Sequence, residues 1–297
     1  MRVVDPHIHL WDLQANSYPW LAKPGVNFLG DYSSLAKTYL PRDFLKEAGG
    51  VEVVKAVHID AGHDPAAPLR ETEWLQSLAD SETGGGFPQG IVAAADFSKP
   101  GVEALLAAHV RHRNVRGIRQ ILNVHADPLY DYVSRDFLNE PAWRANFKQL
   151  AKFGLSFDLQ IYPGQMAAAA ALAHENPDIP LIVNHTGMFV DRGSWRAWRT
   201  WTQGLRALAA KPNVSIKISG LAMFDHHWTA ESFRPYALEA IAAFGPDRAM
   251  FASNFPVDRL FGSYALLWRA YEHIVSSASA DEKDALFRAN AERIYRI

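Results

Sequence analysis

The chain has 297 residues, 48% of them hydrophobic and 21% charged, with a formal net charge of -2 and no cysteine. That length is enough for a large core, and α/β barrels often run to this size as one domain. The charge argues against nucleic acid as a partner, the missing cysteines exclude disulfides and thiolate ligands or nucleophiles, and no apolar run approaches the roughly 20 residues of a membrane span.

Residues 3–10 (VVDPHIHL) read as a buried strand that ends in His-x-His. Side chains two apart on a strand share a face, so Asp5, His7 and His9 are expected on one side, with Val4, Pro6 and Ile8 on the other. Two adjacent imidazoles are costly to bury without partners unless they converge on a metal or a substrate. Residues 11–50 form a long excursion rich in Trp, Tyr, Pro and Gly. It reads either as an ordered loop packed over a pocket or as an aromatic cluster that merely covers a barrel end. A short helix is expected at 41–49.

Further strands are expected at 53–60 (VVKAVHID), 90–97, 115–122 (VRGIRQIL), 156–162 (SFDLQIY), 181–187 (LIVNHTG), 215–221 (SIKISGL) and 250–256 (MFASNFP). Helical patterns lie between them at 69–79, 102–110, 141–153, 163–174, 194–210 and 231–244, with C-terminal helices after 264. A second long loop covers 123–140. Strand–helix alternation implies a parallel sheet with crossovers. Eight such units imply an α/β fold of the (β/α)8 TIM-barrel type over residues 1–297, with sites at the C-terminal strand ends. A doubly wound open sheet is the alternative, but its glycine-rich phosphate turn after the first strand is absent.

Sorting each strand by parity gathers the polar residues on one face: Asp5, His7, His9, His58, Asp60, Asp158, Gln160, His185, Lys217, Ser219 and Asn254, with Arg119 in reach. The other parity is mainly apolar and is expected under the helices. Convergent buried polar groups at strand ends mark a site. His226 and His227, just after the seventh strand, lie on the same rim.

Taken together, Asp-x-His-x-His-x-Trp at 5–11, His-x-Asp at 58–60, Gly-Ile-Arg-Gln at 117–120, Asn-His-Thr-Gly at 184–187, Lys-Ile-Ser-Gly-Leu at 217–221 and Phe-Ala-Ser-Asn-Phe-Pro at 251–256 resemble the amidohydrolase superfamily. The resemblance is closest to its lactonase-like branch, which includes 2-pyrone-4,6-dicarboxylate lactonase and L-fuconolactonase. It implies a hydrolase that opens a small lactone, in carbohydrate or aromatic-acid catabolism. An acid decarboxylase on the same barrel and a catalytically inactive binding homologue are the alternatives. His7, His9 and His185 match the superfamily's strand-one and strand-six histidines, and Arg119 matches an arginine that holds substrate oxygens in related lactonases.

Two positions depart from the superfamily pattern. The strand-five histidine is replaced by Asp158 and Gln160, and the strand-eight aspartate, the usual general base, by Asn254. An amide orients water but takes no proton, so the proton must go to Asp60, Asp258, a histidine or a metal-bound hydroxide. Arg119, Lys217, His58, Gln160 and Trp11 are expected to bind substrate. Three histidines suffice for a catalytic zinc with an open position, so the expectation is either no required cofactor or one divalent metal, zinc first, on His7, His9 and His185. The expected partner is a small lactone or acid, with no nucleic acid and no membrane. A cytoplasmic location and a homo-oligomer are both compatible with the sequence.

Overall fold

Short runs rich in Val and Ile, bounded by turn residues, form eight strands in the computed structural model, which describes the backbone of residues 1–297 and every side chain except that of Val26. They are β1 (Arg2–Ile8), β2 (Glu52–Ile59), β3 (Gly90–Ala94), β4 (Val115–Ile121), β5 (Ser156–Gln160), β6 (Leu181–Val183), β7 (Val214–Ile218) and β8 (Ala249–Phe251). Each pairs in parallel with the next, so the sheet order is the chain order. A parallel bridge between Ile8 and Phe255 joins the two ends, supported by His9 N–H donating to the Phe255 carbonyl at 2.8 Å. The fold is the expected (β/α)8 barrel.

Helices cross over outside the strands: α1 (Pro41–Glu47), α2 (Pro68–Asp80), α3 (Val102–His109), α4 (Pro141–Phe147), α5 (Met166–Glu175), α6 (Trp195–Ala209), α7 (Ala230–Phe244) and α8 (Tyr264–Ile274), with a final α9 (Asn290–Tyr295). Proline stands at the start of α1, α2 and α4, where its missing N–H has no intrahelical partner to lose. Ser194, Thr229 and Ser263 cap α6, α7 and α8 with their hydroxyls. Among the described residues, no helix is long and apolar enough to cross a membrane.

The parity expected for β1, β2 and β6 is corrected. Val4, Val57, Ile59, Val92, Ile182 and Met250 pack with Tyr295 in a small core separate from the large one. Drawn from five different strands and closed by Tyr295 of α9, this core is the floor inside the barrel. The register slips by one residue between Asp5 and Ile8, with Asp5 opposite Ala56 and Ile8 opposite His58. The extra residue lets Val4 and His7 both face inward, as a bulge does, and turns Asp5 outward, where its Oδ2 accepts from Tyr264 Oη of α8 at 2.9 Å. In β2 the inward parity belongs to Val57 and Ile59. His58 therefore faces α2, with Nε2 3.6 Å from the Glu71 carboxylate.

The excursion after β1 and the 123–140 loop pack together over the open rim. Phe28 stacks on Phe224 at 5.5 Å between centroids and lies 5.9 Å from both Tyr130 and Tyr132. Trp20 is pinned by its indole N–H to the Ala61 carbonyl at 2.8 Å.

Candidate active site

A cavity of about 410 Å³ opens at the C-terminal ends of the strands, and His9, Arg119, Gln160, His185 and Asn254 converge on it. The lid supplies Trp20, Leu29 and Tyr32, and the second loop supplies Tyr132. The rest of the wall is largely apolar, including Met188, Met223 and Val257. The aromatic excursion is thus a cover over a pocket.

His9 sits just past β1. Its Nδ1 lies 2.7 Å from the Ile59 carbonyl oxygen. A carbonyl only accepts, so Nδ1 carries the proton and Nε2 of the neutral ring carries the lone pair. Nε2 is 3.3 Å from Asn254 Oδ1. Asn254 occupies a left-handed backbone conformation (φ 60); its N–H donates to the His7 carbonyl at 2.9 Å, and its Nδ2 donates to Asp258 Oδ1 at 2.7 Å. His185 likewise has φ 54, followed by Thr186 at φ 55. Left-handed non-glycine residues cost roughly 1–2 kcal/mol each. Here they end the strands at Val183 and Phe251, short of the expected 187 and 256, and re-aim the next side chains. His185 Nδ1 pairs with Ser219 Oγ at 3.0 Å. Gly220 lets this happen: a Cβ there would stand 2.6 Å from that nitrogen.

Arg119 reaches the cavity from β4. It donates from Nη1 to Gln160 Oε1 at 3.1 Å and from Nε and Nη2 to Asp60 Oδ2 at 3.3 and 3.2 Å, and it also bonds the Asp60 carbonyl. Asp60 is thereby bound to the guanidinium behind the wall.

Several expected contacts are placed elsewhere. Lys217 is fully buried beneath the histidines, where it bonds Asp158, the Pro6 carbonyl at 3.1 Å and His7 Nδ1 at 3.3 Å. Asp158 in turn accepts from Tyr295 Oη at 2.9 Å. The barrel centre thus absorbs the lysine in an internal ion pair rather than presenting it to a ligand. His58 is turned toward α2, because Val57 and Ile59 hold the inward parity of β2. Trp11 is fully buried under the lid, its indole N–H on the Lys37 carbonyl at 2.7 Å and its ring 5.7 Å from Trp20. Asp258 is buried behind Asn254. His226 stacks on Phe261 away from the cavity. A second cavity of about 570 Å³, beside His125 and Asp191, contains none of the residues that converge on the first.

The three histidines do not fit a divalent cation in this arrangement. The Lys217 ammonium donates to His7 Nδ1, which puts the ring proton on Nε2, the atom that would have to ligate. Among the described residues no group of three His, Asp or Glu side chains is arranged to hold a metal.

Burial holds His7, His9 and His185 well below the usual imidazole range, with help from the Lys217 and Arg119 cations. All three are neutral at pH 7. Burial also lowers His58 to about 3 and His109 to about 4. In the opposite sense, burial raises Asp5 to about 6 and Asp258 and Glu71 to about 8. A pH dependence of stability follows. Below about pH 6.5 the unfolded histidines protonate and the buried ones do not, so stability falls as pH drops. Above roughly pH 4 the unfolded acids have lost protons that the buried acids keep, so stability falls as pH rises toward 8. Five histidines outweigh three acids on the acid side, and the balance turns over at about pH 6.5. The melting temperature is expected to peak there and to drop by about 3 °C or more at pH 5 and at pH 8. A thermal scan across pH 4.5–9 checks it.

The polar rim and the aromatic excursion that supplies Trp20 and Tyr32 are both visible in the sequence. Met188, Met223 and Val257 are not, because they sit on loops without periodicity.

The model of the amidohydrolase family matches residues 4–297. A Sinorhizobium fredii protein, "uncharacterized protein y4mH", is 50% identical, covering 100% of this chain and 99% of its own. A Burkholderia multivorans L-fucono-1,5-lactonase is 31% identical over 99% of this chain and 96% of its own. Among solved structures, an amidohydrolase from Burkholderia multivorans with bound zinc is 25% identical, with a TM-score of 0.82 over 100% of both chains. The barrel, its histidine-bearing rim and these matches together place the chain in the amidohydrolase family.

Proposed function

We propose that this chain opens a small lactone, a cyclic ester of a sugar acid or of an acid from aromatic catabolism, by attack of water deprotonated by His9. The observation that carries the reading is the orientation of His9: its Nδ1 proton is committed to the Ile59 carbonyl at 2.7 Å, which leaves a neutral Nε2 lone pair at a cavity that also holds a guanidinium. The relatives named L-fucono-1,5-lactonase, at 31% and 25% identity, support the class of reaction.

In this mechanism the water oxygen bonds to the acyl carbon while His9 Nε2 takes its proton. The carbonyl electron pair moves to oxygen, where Arg119 and His185 stabilise it. Collapse restores the carbonyl and breaks the bond to the ring oxygen, which receives the proton from His9. The apolar lid excludes bulk water and strengthens these interactions. Gln160 holds Arg119 in register.

Acid release from a panel of five- and six-membered lactones tests this. At least one is expected to be opened well above its spontaneous rate, and the rate is expected to survive exhaustive dialysis against a chelator. Release of carbon dioxide from aromatic acids, with no lactone opened, would establish the decarboxylase reading instead.

A further inference from the structure

The strand-eight position holds an amide, and a buried carboxyl stands directly behind it. Asn254 Nδ2 donates to Asp258 Oδ1 at 2.7 Å, and Asn254 Oδ1 lies 3.3 Å from His9 Nε2. Asp258 is 3% exposed, does not line the cavity, and its Oδ2 has no hydrogen-bond partner among the described residues. It cannot touch substrate or water in the cavity. It does decide which way the amide faces, because an acceptor at Oδ1 requires the NH2 end of Asn254 on its side. A carboxyl protonated on Oδ2 imposes the same choice as a carboxylate.

That choice has a chemical consequence. With His9 neutral, Nε2 and Asn254 Oδ1 are both acceptors and form no hydrogen bond. When Nε2 takes a proton from the attacking water, the same pair becomes a charge-assisted hydrogen bond. The interaction exists only once charge develops on His9, which makes it lower the barrier rather than merely bind the ground state.

We propose that Asp258 is a positioning residue that acts through Asn254: it fixes the amide with its oxygen toward His9, so that the imidazolium formed during water attack meets a waiting acceptor. Amide and carboxyl together offer the imidazolium the hydrogen-bond acceptor that a strand-end carboxylate would offer it directly. The inference rests on the lactone-opening reading.

A double-substitution cycle tests it. Asp258→Leu is expected to lower kcat for the best lactone about 30-fold with KM within about twofold, since nothing that touches substrate is removed. Asn254→Ala is expected to give a similar loss. The double variant N254A/D258L is expected to fall no further than Asn254→Ala alone, because Asp258 has no other route to the reaction. Losses that multiply in the double variant, or a loss in KM rather than kcat, would overturn the proposal. A second readout does not need turnover. In proton–nitrogen NMR of the histidine side chains, Asp258→Leu is expected to shift the His9 Nε2 resonance in the wild-type background and to leave it unmoved in the Asn254→Ala background. An Nε2 that ignores Asp258→Leu, or that moves equally in both backgrounds, also overturns it. If no lactone is opened, the reaction assignment falls and the NMR comparison still decides the coupling.

Discussion

Replacing Arg119 by methionine is expected to reduce kcat/KM for the opened lactone by about 10²–10³-fold. The guanidinium is the only cation lining the cavity among the described residues. It is held by Asp60 Oδ2 at 3.2 Å and by Gln160 at 3.1 Å, and a preorganised donor of this kind stabilises charge developing on a carbonyl oxygen without reorganising as it forms. Methionine keeps the length of the side chain and removes the donors. It also leaves the Asp60 carboxylate nearly buried without its partner, so a stability loss of about 3 kcal/mol accompanies the kinetic one. Steady-state kinetics and a melting curve on the same preparation separate the two. The double variant R119M/D60N should regain most of the stability and none of the activity. A kcat/KM within threefold of wild type for Arg119→Met would remove Arg119 from the mechanism.

The second large effect is on stability. Lys217 and Asp158 form an ion pair with both side chains at 0% exposure, and burial lowers the lysine to about 8 against the opposing pull of Asp158. Lys217→Met strands a carboxylate in the centre of the barrel, and removing one partner of such a pair typically costs about 3–5 kcal/mol. The melting temperature is expected to fall by about 8–15 °C. Lys217→Met with Asp158→Leu should recover most of that loss, since replacing both charges by apolar side chains of similar size is often neutral. A single variant that melts with the wild type would contradict the buried pair. Because Lys217 also donates to His7 Nδ1, the double variant should free the His7 tautomer, visible in its side-chain nitrogen shifts.

The barrel was legible in the sequence because it depends on features that repeat: apolar strand, helix, apolar strand, eight times. The converging His9, Arg119, Gln160, His185 and Asn254 were legible because a buried polar residue at a strand end stands out against an apolar pattern. What parity could not resolve was the bulge in β1. One extra residue between Asp5 and Ile8 reverses the facing of Asp5 relative to His7; Pro6, which cannot donate to the ladder, marks a break there, but strict alternation takes no account of it. Parity also gave His58 the wrong side, because strict alternation fixes two faces without saying which is inside. The fate of Lys217 was hidden for another reason. A lysine on the inward face fits a ligand site and an internal ion pair equally well, and Asp158, its partner, lies 59 positions away in sequence. Asp258 was in view as a proton acceptor, but only the three-dimensional path through Asn254 separates a residue that touches water from one that orients another side chain.

Acid release across the lactone panel by wild type and His9→Gln, side by side, tests the role of His9 most directly. The glutamine keeps a polar group near the Ile59 carbonyl but cannot take the proton. At least one lactone is expected to be opened by the wild type, and His9→Gln is expected to lose about 10³-fold or more in kcat with a KM close to wild type. An opened lactone that His9→Gln hydrolyses at more than a tenth of the wild-type rate would contradict it.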